Sequence, residues 1–140
     1  MERTLAILKP DSVAAGKAGA IIAKLQDEGF LVRGLKMLRL SQAQAQAFYE
    51  VHKARPFYGS LVEFMTSGPV IPLALERENA VAHLREVMGA TDVAKAAPGT
   101  VRNLFGTSIE RNAIHGSDSP ENAAIELSFF FSRAELLAAQ

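Results

Sequence analysis

Apolar and polar residues recur along the chain in two patterns, one typical of buried strands and the other of amphipathic helices. TLAIL (residues 4–8) is almost continuously apolar, as is typical of a central strand covered on both faces. Apolar residues then recur at helical spacing over residues 18–25, and Gly29 fits the end of that helix. FLVRGLKMLRL (30–40) predicts a long strand, in which Gly34 marks a candidate bulge.

The middle of the sequence predicts two helices and a strand. Ser41 and Gln44 have capping-box spacing, which opens an alanine-rich helix that continues to about Lys53. Pro56 breaks this helix, because proline lacks the backbone N–H that a helix interior needs. A further helical segment and a turn then lead to VIPLALE (70–76), which predicts a strand.

The last part of the chain predicts two more helices around a short strand. Asn79 can cap a helix that Gly89 ends. Residues 90–111 have no clean period and predict a long, partly ordered loop, and loops of that length are usually functional or disordered. AIHG (113–116) predicts a strand, and Ser119 caps a final helix that opens with a proline.

This order of elements predicts an α/β protein of the α+β sandwich type. Strand, helix, strand, helices, strand, helix, strand, helix is the split βαβ order of ferredoxin-like folds, in which helices cover a four-stranded antiparallel sheet. A single domain over residues 1–140 is expected, because the sequence contains no linker, internal repeat or low-complexity tract.

Composition narrows the function classes. Apolar residues make up 49% of the 140 residues, and 15 basic residues balance 15 acidic ones. This balance favours neither a nucleic acid nor an anionic membrane as the main partner. The absence of cysteine excludes disulfides, thiol nucleophiles and cysteine-bound zinc. No apolar run approaches the ~18 residues of a membrane span, so a soluble cytoplasmic protein is expected.

Common phosphate-binding and metal-binding motifs are absent from the sequence. Gly16-Lys17 lacks both the upstream glycine and the hydroxyl of a P-loop. The histidines at 52, 83 and 115 do not have ligand spacing, so no metal site made of side chains is expected. His52 and His83 fall in predicted helices with charged neighbours and are expected to be exposed and without a chemical role.

His115 and Glu126 form a candidate reactive pair. His115 lies where a short strand meets a glycine, so it either projects into a cleft or is a hydrogen-bonded core histidine. Viewed along the axis of the last helix, Glu126 falls between Phe129 and Phe130. Burying a carboxylate among apolar side chains costs free energy unless it is paired. It either reaches water or accepts a hydrogen bond from a histidine, which would fix the tautomer and leave the other ring nitrogen nucleophilic.

Four cations and an aromatic residue form a second candidate group. Lys9, Arg55, Arg85 and Arg102 come from separate predicted elements. Each alone is typical of a solvated surface charge, whereas together they could hold a polyphosphate. Phe57 is either a core aromatic residue or a plate against which a base stacks by its face.

These motifs together resemble one known family. NAIHGSDS, which contains His115, closely resembles the active-site signature of nucleoside diphosphate kinases. Other segments resemble the same family in the same order along the chain: TLAILKPD, HKARPFYGSLVEFMTSGPV, VMGATD and PGTVR. The resemblance covers essentially the whole sequence.

The resemblance implies a ping-pong phosphoryl transfer. His115 would attack the γ-phosphate of a nucleoside triphosphate through Nδ1, and a nucleoside diphosphate would then accept the phosphoryl group. Glu126 matches the residue that orients the imidazole, and Ser117 matches a hydroxyl that supports this carboxylate. Lys9 and Asn112 match the residues that bond the sugar hydroxyl, and Lys9 also reaches the phosphate.

The resemblance also implies the remaining nucleotide contacts. Tyr49 matches a phenol beside the transferring group. Phe57 matches the plate on which the base stacks, and Arg55 matches the basic residue beside that pocket. The phosphate ligands of the family are matched by three residues: Arg85, Thr91 and Arg102.

The same resemblance implies a bound Mg²⁺ ion and a homo-oligomeric assembly. Mg²⁺ is expected to bridge phosphate oxygens, held mainly by the nucleotide and by water rather than by side chains. The family forms dimers that assemble into tetramers or hexamers. ENAAIELSFFF (121–131) is apolar on nearly every side, which favours burial against more than one surface, of which another subunit is a candidate.

Two stretches of the sequence depart from the family pattern. Residues 102–105 read Arg-Asn-Leu-Phe, whereas the family usually has Arg-Gly-Asp-Phe or Arg-Ala-Asp-Phe. Val93 stands where a proline often follows the aspartate. Because Leu104 provides no carboxylate, the long loop is expected to be anchored differently.

Three other functions remain as alternatives. The main one is a catalytically silent nucleotide-binding or assembly module of the same fold, which would not need to keep the nucleophile His115. A histidine phosphocarrier would need neither Phe57 nor Asn112. A nucleic-acid-binding domain would be expected to have a basic surface and an aromatic-rich strand.

Overall fold

One antiparallel sheet of four strands, in the order β2-β3-β1-β4, forms the centre of the fold. The strands are β1 (Glu2–Leu8), β2 (Leu31–Leu35), β3 (Ile71–Arg77) and β4 (Ile114–Gly116). A computed structural model describes residues 1–138 of the chain. The predicted fold class, a four-stranded antiparallel sheet covered by helices, is confirmed.

Helices cover both faces of this sheet. In the described part of the chain they are α1 (Pro10–Ala14), α2 (Ala18–Asp27), α3 (Gln42–Phe48), α4 (Tyr58–Met65), α5 (Ala80–Met88), α6 (Val101–Phe105), α7 (Pro120–Phe130) and α8 (Arg133–Ala138). Successive strand residues point to opposite faces. Leu5 and Ile7 therefore pack with α3, α4 and α7, whereas Ala6 and Leu8 pack with α2 and α5.

The central strand β1 determines where the reactive residues lie. Its residues from Leu5 to Leu8 are completely buried, and burying each large aliphatic side chain contributes about 1.5–3 kcal/mol. Ile7 pairs directly with His115 of β4. Residues opposite each other in an antiparallel pair share a face, so His115 points to the face that α7 covers.

Strand β2 is shorter than the sequence pattern predicts. It ends at Leu35, and Leu38 beyond it forms only an isolated bridge to Val70. The predicted bulge at Gly34 is confirmed, because the register with β3 shifts between Val32 and Gly34. A Cβ on Gly34 would lie 2.8 Å from the ring of Phe131, so only glycine lets the end of α7 approach the strand.

The predicted helix caps have mixed outcomes. The capping box of Ser41 and Gln44 is present in full, and Ser119 accepts a hydrogen bond from the backbone of Asn122. Asn79 precedes α5 but makes no capping hydrogen bond through its side chain. Its left-handed backbone, with φ of 54°, turns the chain into the helix instead.

The helices of the structure differ from the predicted ones in four places. The helix that begins after Ser41 ends at Phe48, and a 3-10 turn (Glu50–His52) follows it. The stretch 90–111, predicted as a loop, contains a 3-10 turn and the short helix α6. The helices α1 and α8 were not predicted, since five or six residues are too few to show a helical period.

No helix within residues 1–138 has the length and apolar character needed to cross a membrane. The longest helix there, α7, has 11 residues. A membrane span needs about 20 residues at the helical rise of 1.5 Å.

Candidate active site

A cavity of about 650 Å³ brings together most of the residues that the sequence singled out. The cavity lies where the end of β1, the α3–α4 region, α5, the 89–112 segment, β4 and α7 meet. Nine of the predicted site residues line it: Lys9, Tyr49, Phe57, Arg85, Thr91, Arg102, Asn112, His115 and Glu126.

The other two predicted site residues, Ser117 and Arg55, lie away from the cavity wall. Ser117 is completely buried and contacts the site through Glu126. Arg55 is exposed on the segment between α3 and α4. Ser117 therefore acts on the cavity indirectly. In the described chain, Arg55 is joined to the lining only through its backbone N–H, which donates to the His52 carbonyl at 2.8 Å.

His115 and Glu126 are hydrogen-bonded to each other. Nε2 of His115 lies 2.8 Å from Oε1 of Glu126, and the hydroxyl of Ser117 donates to the same oxygen at 2.8 Å. The carboxylate is an acceptor, so Nε2 carries the proton and Nδ1 keeps its lone pair. Within residues 1–138, Nδ1 has no hydrogen-bond partner. The pair therefore presents a nucleophilic nitrogen in the cavity wall.

Two aromatic rings hold the imidazole of His115 in place. The rings of Phe48 and Tyr49 meet it edge-on, with centroids 5.6 Å and 6.3 Å away. The Tyr49 hydroxyl is buried without a partner in the described chain, and burial together with Glu126 raises the pKa of Tyr49. It therefore remains a protonated donor, and a ligand oxygen would satisfy it.

Lys9 and Asn112 form a buried polar pair at the end of β1. Nζ of Lys9 donates to Oδ1 of Asn112 at 2.8 Å, and Nδ2 of Asn112 donates to the Ile109 carbonyl at 2.8 Å. Lys9 is only 7% exposed, and burial, followed by the charge of Arg102, lowers its pKa to about 8. The orientation of both side chains is therefore fixed before any ligand binds.

Arg102 is buried rather than solvated. Its Nη2 donates to the Ile114 carbonyl at 2.8 Å and its Nη1 to the Gly89 carbonyl at 3.1 Å, while Nε has no partner in the described residues. Burial, followed by the charge of Arg85, lowers the pKa of Arg102 to about 10. The interpretation of Arg102 as an ordinary surface charge is therefore wrong.

Arg85 reaches the cavity because α5 packs directly on β4. A Cβ on Gly116 would lie 2.5 Å from the Met88 sulfur, so glycine is needed for this close approach. Nη1 of Arg85 lies 3.5 Å from the Gly116 carbonyl. Lys9, Arg85 and Arg102 form no ion pair with a carboxylate of the described chain, so all three are available to an anionic ligand.

Known proteins of one family are similar to this chain in sequence and in fold. The family model described as nucleoside diphosphate kinase matches residues 2–136. The chain belongs to the nucleoside diphosphate kinase family. It is therefore a phosphotransferase of the kinase class, and the resemblance predicted from NAIHGSDS is confirmed.

Relatives within the nucleoside diphosphate kinase family match almost the full chain. The protein of that name from Chloroherpeton thalassium is 59% identical over 99% of this chain and 98% of its own length. The one from Chlamydia abortus is 56% identical over 98% of this chain and 97% of its own length.

Solved structures of nucleoside diphosphate kinases share the fold. The Aquifex aeolicus enzyme superposes with a TM-score of 0.94 at 48% identity, covering 96% of this chain and 97% of that one. The halophilic Halobacterium salinarum enzyme in complex with CDP superposes with a TM-score of 0.92 at 39% identity. That alignment covers 96% of this chain and 90% of that one.

The segment that departs from the family pattern is ordered by its own side chains. Asp92 accepts from the backbone N–H of Ala94, which caps the 3-10 turn that begins at Val93. Thr100 caps α6 by accepting from the Asn103 N–H, and Asn103 in turn donates to the Ala96 carbonyl at 3.4 Å. Leu104 itself is 54% exposed. Asn103 is thus one residue that anchors this segment.

Sequence reasoning did not identify every residue of the cavity. Phe48 packs on His115 but looked like an ordinary helix residue. Ile109 lines the cavity and is 61% exposed, and the signal for it was an isolated apolar residue in the polar stretch 106–112. His52, expected to be exposed, is half-buried against Phe57 in the cavity wall. His83, also half-buried, lies near carboxylates outside the cavity.

Phosphate binding at this site is expected to weaken as the pH rises through 8. Below pH 8 Lys9 is charged, whereas above it Lys9 of the empty site loses its proton, and binding an anion must restore that proton. Nucleoside diphosphate affinity should therefore fall by up to about tenfold per pH unit from pH 8 towards 9.5. This range lies below the pKa of about 10 for Arg102, so that Arg102 stays charged throughout it. Titration calorimetry in buffers of different ionisation enthalpy measures the proton uptake.

The matched control for this pH dependence is Lys9→Met. This variant should bind more weakly at pH 7 and show little further loss between pH 8 and 9.5. Equal affinity of the unmodified protein across this pH range would contradict a role of the Lys9 ammonium in anion binding.

Proposed function

We propose that the protein transfers the γ-phosphate of a nucleoside triphosphate, typically ATP, to a nucleoside diphosphate through a phosphohistidine on His115. The observation that carries this proposal is the geometry of one histidine. Its Nε2 is held by a carboxylate at 2.8 Å, and its Nδ1 has no hydrogen-bond partner among residues 1–138, in a cavity whose wall also contains three cations. Family membership supports the same reaction.

The chemical step is a displacement at phosphorus. Nδ1 of His115 forms the N–P bond with its lone pair, while the bond from the γ-phosphorus to the bridging oxygen breaks and leaves its electrons on the departing diphosphate. The imidazole becomes positively charged as it attacks, and the Glu126 carboxylate stabilises that charge through the Nε2 hydrogen bond. Ser117 holds the carboxylate in place. A second diphosphate reverses the step.

The cations of the cavity provide the stabilisation that this transfer needs. Phosphoryl transfer has a loose transition state, so positioning and charge contribute most of the rate. In this proposal Lys9, Arg85 and Arg102 hold the phosphate oxygens, with Thr91 as a further ligand. The Tyr49 hydroxyl, buried without a partner, donates to an oxygen beside the transferring group.

The outer half of the cavity suits a nucleoside. Phe57 is 47% exposed in the wall, which leaves its ring available for stacking on a base, and Ile109 lines the same cavity. The pre-oriented Lys9 and Asn112 are placed to bond the sugar hydroxyls. The structure of a related enzyme in complex with CDP supports nucleotide binding by this fold. Arg55 is proposed only as a charge near the base pocket, since it lies off the cavity wall.

Mg²⁺ fits this site as a partner of the nucleotide rather than of the protein. No group of three or more metal-binding side chains occurs in residues 1–138. Glu126 is engaged by His115 and Ser117, whereas Asp118 is exposed in the cavity wall and could accept hydrogen bonds from water on the ion. Bound in this way, Mg²⁺ would neutralise charge on the phosphates.

Isotope transfer tests the proposed function directly. The protein is mixed with γ-labelled ATP, and the expected product carries the label in a linkage that survives base and is lost in acid, as phosphohistidine does. Adding GDP should then move the label to GTP. A protein that binds ATP but never takes up label would instead be the catalytically silent module of the same fold.

Truncating the Phe57 side chain is expected to weaken the binding of all nucleotides by a similar amount. Since a base stacks by its face, Phe57→Ala should cost ~1–3 kcal/mol in the binding of ADP, GDP and CDP, measured by calorimetry. Leu104→Ala is the matched control, because Leu104 is comparably exposed but does not line the cavity. A loss confined to the purine nucleotides would contradict a base-tolerant plate.

The chain is also proposed to work in the cytoplasm as a homo-oligomer built from dimers. Apolar side chains remain exposed on the edge strand β2, at Leu31 and Leu35, and on α7, at Ile125 and Phe129. A second subunit would cover such patches. Light scattering distinguishes a tetramer from a hexamer.

The prediction of one domain over residues 1–140 is supported by the single sheet, covered on both faces.

A further inference from the structure

The chain adopts an unfavourable backbone conformation just before His115. Ala113 has φ of +75°, a region in which a Cβ meets steric conflict, and Asn79 is the other non-glycine residue with positive φ among residues 1–138. The Ile114 N–H donates to the Asn112 carbonyl at 2.9 Å, which closes a tight three-residue turn around Ala113. This turn connects the proposed sugar ligand Asn112 to the strand that carries the nucleophile.

Both backbone polar groups of Ala113 are held by the segment that follows β1. Oδ2 of Asp11 accepts from the Ala113 N–H at 3.1 Å. The Ala113 carbonyl accepts from the Ser12 hydroxyl at 2.8 Å and from the Lys9 N–H at 2.9 Å. Ser12 is 1% exposed and Ala113 is completely buried, so water does not replace these bonds.

We propose that Asp11 is a positioning residue for the phosphoryl transfer, acting with Ser12 to hold the strained turn at Ala113. The inference rests on the proposed function of His115. A strained backbone conformation persists only where the surrounding structure holds it in place. Three hydrogen bonds do so here: two from the α1 residues Asp11 and Ser12, and one from the backbone of Lys9, which precedes α1. Without them, relaxation of Ala113 towards negative φ would move Asn112 and His115 relative to Lys9.

A purely electrostatic role for Asp11 is the competing explanation. Its charge raises the pKa of Lys9, against the lowering caused by burial and by Arg102. Asp11→Asn separates the two roles, because the amide oxygen can still accept from the Ala113 N–H although the charge is gone. Ala113→Gly provides the second test, since glycine adopts positive φ without strain and should no longer need Asp11.

The experiment compares Asp11→Ala, Asp11→Asn, Ala113→Gly and the double variant Asp11→Ala/Ala113→Gly. The measured quantities are the single-turnover rate of phosphohistidine formation and the hydrogen-exchange protection of the Ala113 amide in the full chain. Asp11→Ala should slow labelling by about 10- to 100-fold, the scale of a small misplacement of reacting groups. Asp11→Asn and Ala113→Gly should stay within about threefold of the unmodified protein, and the double variant should recover most of the loss.

The outcomes separate this inference from the proposed function. Asp11→Ala labelling at the unmodified rate, or a double variant as slow as Asp11→Ala, would overturn the positioning role. Asp11→Asn as slow as Asp11→Ala would overturn it in favour of charge. If Asp11→Ala does not fold, Ser12→Ala with Ala113→Gly repeats the rescue test. If the unmodified protein takes up no label, the proposed function fails, and loss of Ala113 protection in Asp11→Ala still decides whether Asp11 holds the turn.

Discussion

Replacing His115 with alanine is expected to abolish covalent labelling by γ-labelled ATP and to lower phosphoryl transfer by at least about four orders of magnitude. The proposed mechanism has one nucleophile for both half-reactions, so under it the variant has no other route for the phosphoryl group. Since His115 lies in the cavity wall and is not part of the buried core, the variant should keep its fold and much of its ADP affinity. Labelling, coupled kinetics and calorimetry measure the three quantities.

The control for this experiment is His83→Ala. His83 is similarly half-buried but lies outside the cavity, near Glu28 and Glu86, so its removal should leave labelling unchanged. Residual transfer by His115→Ala above about one hundredth of the unmodified rate would show that another residue carries the phosphoryl group. That result would exclude the proposed mechanism.

Glu126→Ala is expected to have the second-largest effect, a fall of about 10²-fold in the rate of phosphohistidine formation. Without the carboxylate, the imidazole loses the acceptor that fixes its tautomer and stabilises its developing charge, and partners of this kind typically contribute 10- to 100-fold. The effect should appear in the single-turnover rate rather than in ADP affinity, because Glu126 interacts with the histidine rather than with the nucleotide.

Two further variants separate the contributions of the Glu126 charge, its hydrogen bond to His115 and its support by Ser117. Glu126→Gln keeps an acceptor for Nε2–H but not the charge, so its rate should lie between those of Glu126→Ala and the unmodified protein. Ser117→Ala removes only the hydroxyl that holds the carboxylate and should have a smaller effect than Glu126→Ala. If Glu126→Ala instead labelled normally and bound ADP weakly, the carboxylate would be a binding group.

The fold was predictable where the apolar pattern was long and regular. TLAIL showed no polar face, and β1 is indeed central and buried on both faces. The spacing of apolar residues in α2 likewise indicated its extent, because tertiary packing only had to cover a face that the sequence already defined. The bulge at Gly34 was predictable for a related reason, since a lone glycine in a strand marks a close approach.

The site was predictable in part. The resemblance identified nine of the residues that line the cavity, but local pattern alone left an ordinary explanation open for those it singled out. The burial of Lys9 and Arg102 could not be read from the sequence, because both residue types usually lie at the surface. Phe48 was missed since an aromatic residue at the end of a short helix has many other uses.

By itself, the sequence determined the sheet, the main helices, the family and which histidine to propose as the nucleophile, because these follow from periodicity and from motifs of fixed spacing. Only the tertiary structure decided that Glu126 reaches Nε2, that Lys9 and Arg102 are buried with lowered pKa values, and that Asp11 meets the Ala113 amide. These contacts join residues from separate elements, some of them 102 positions apart. Their distances depend on how the helices pack on the sheet, which no local pattern encodes.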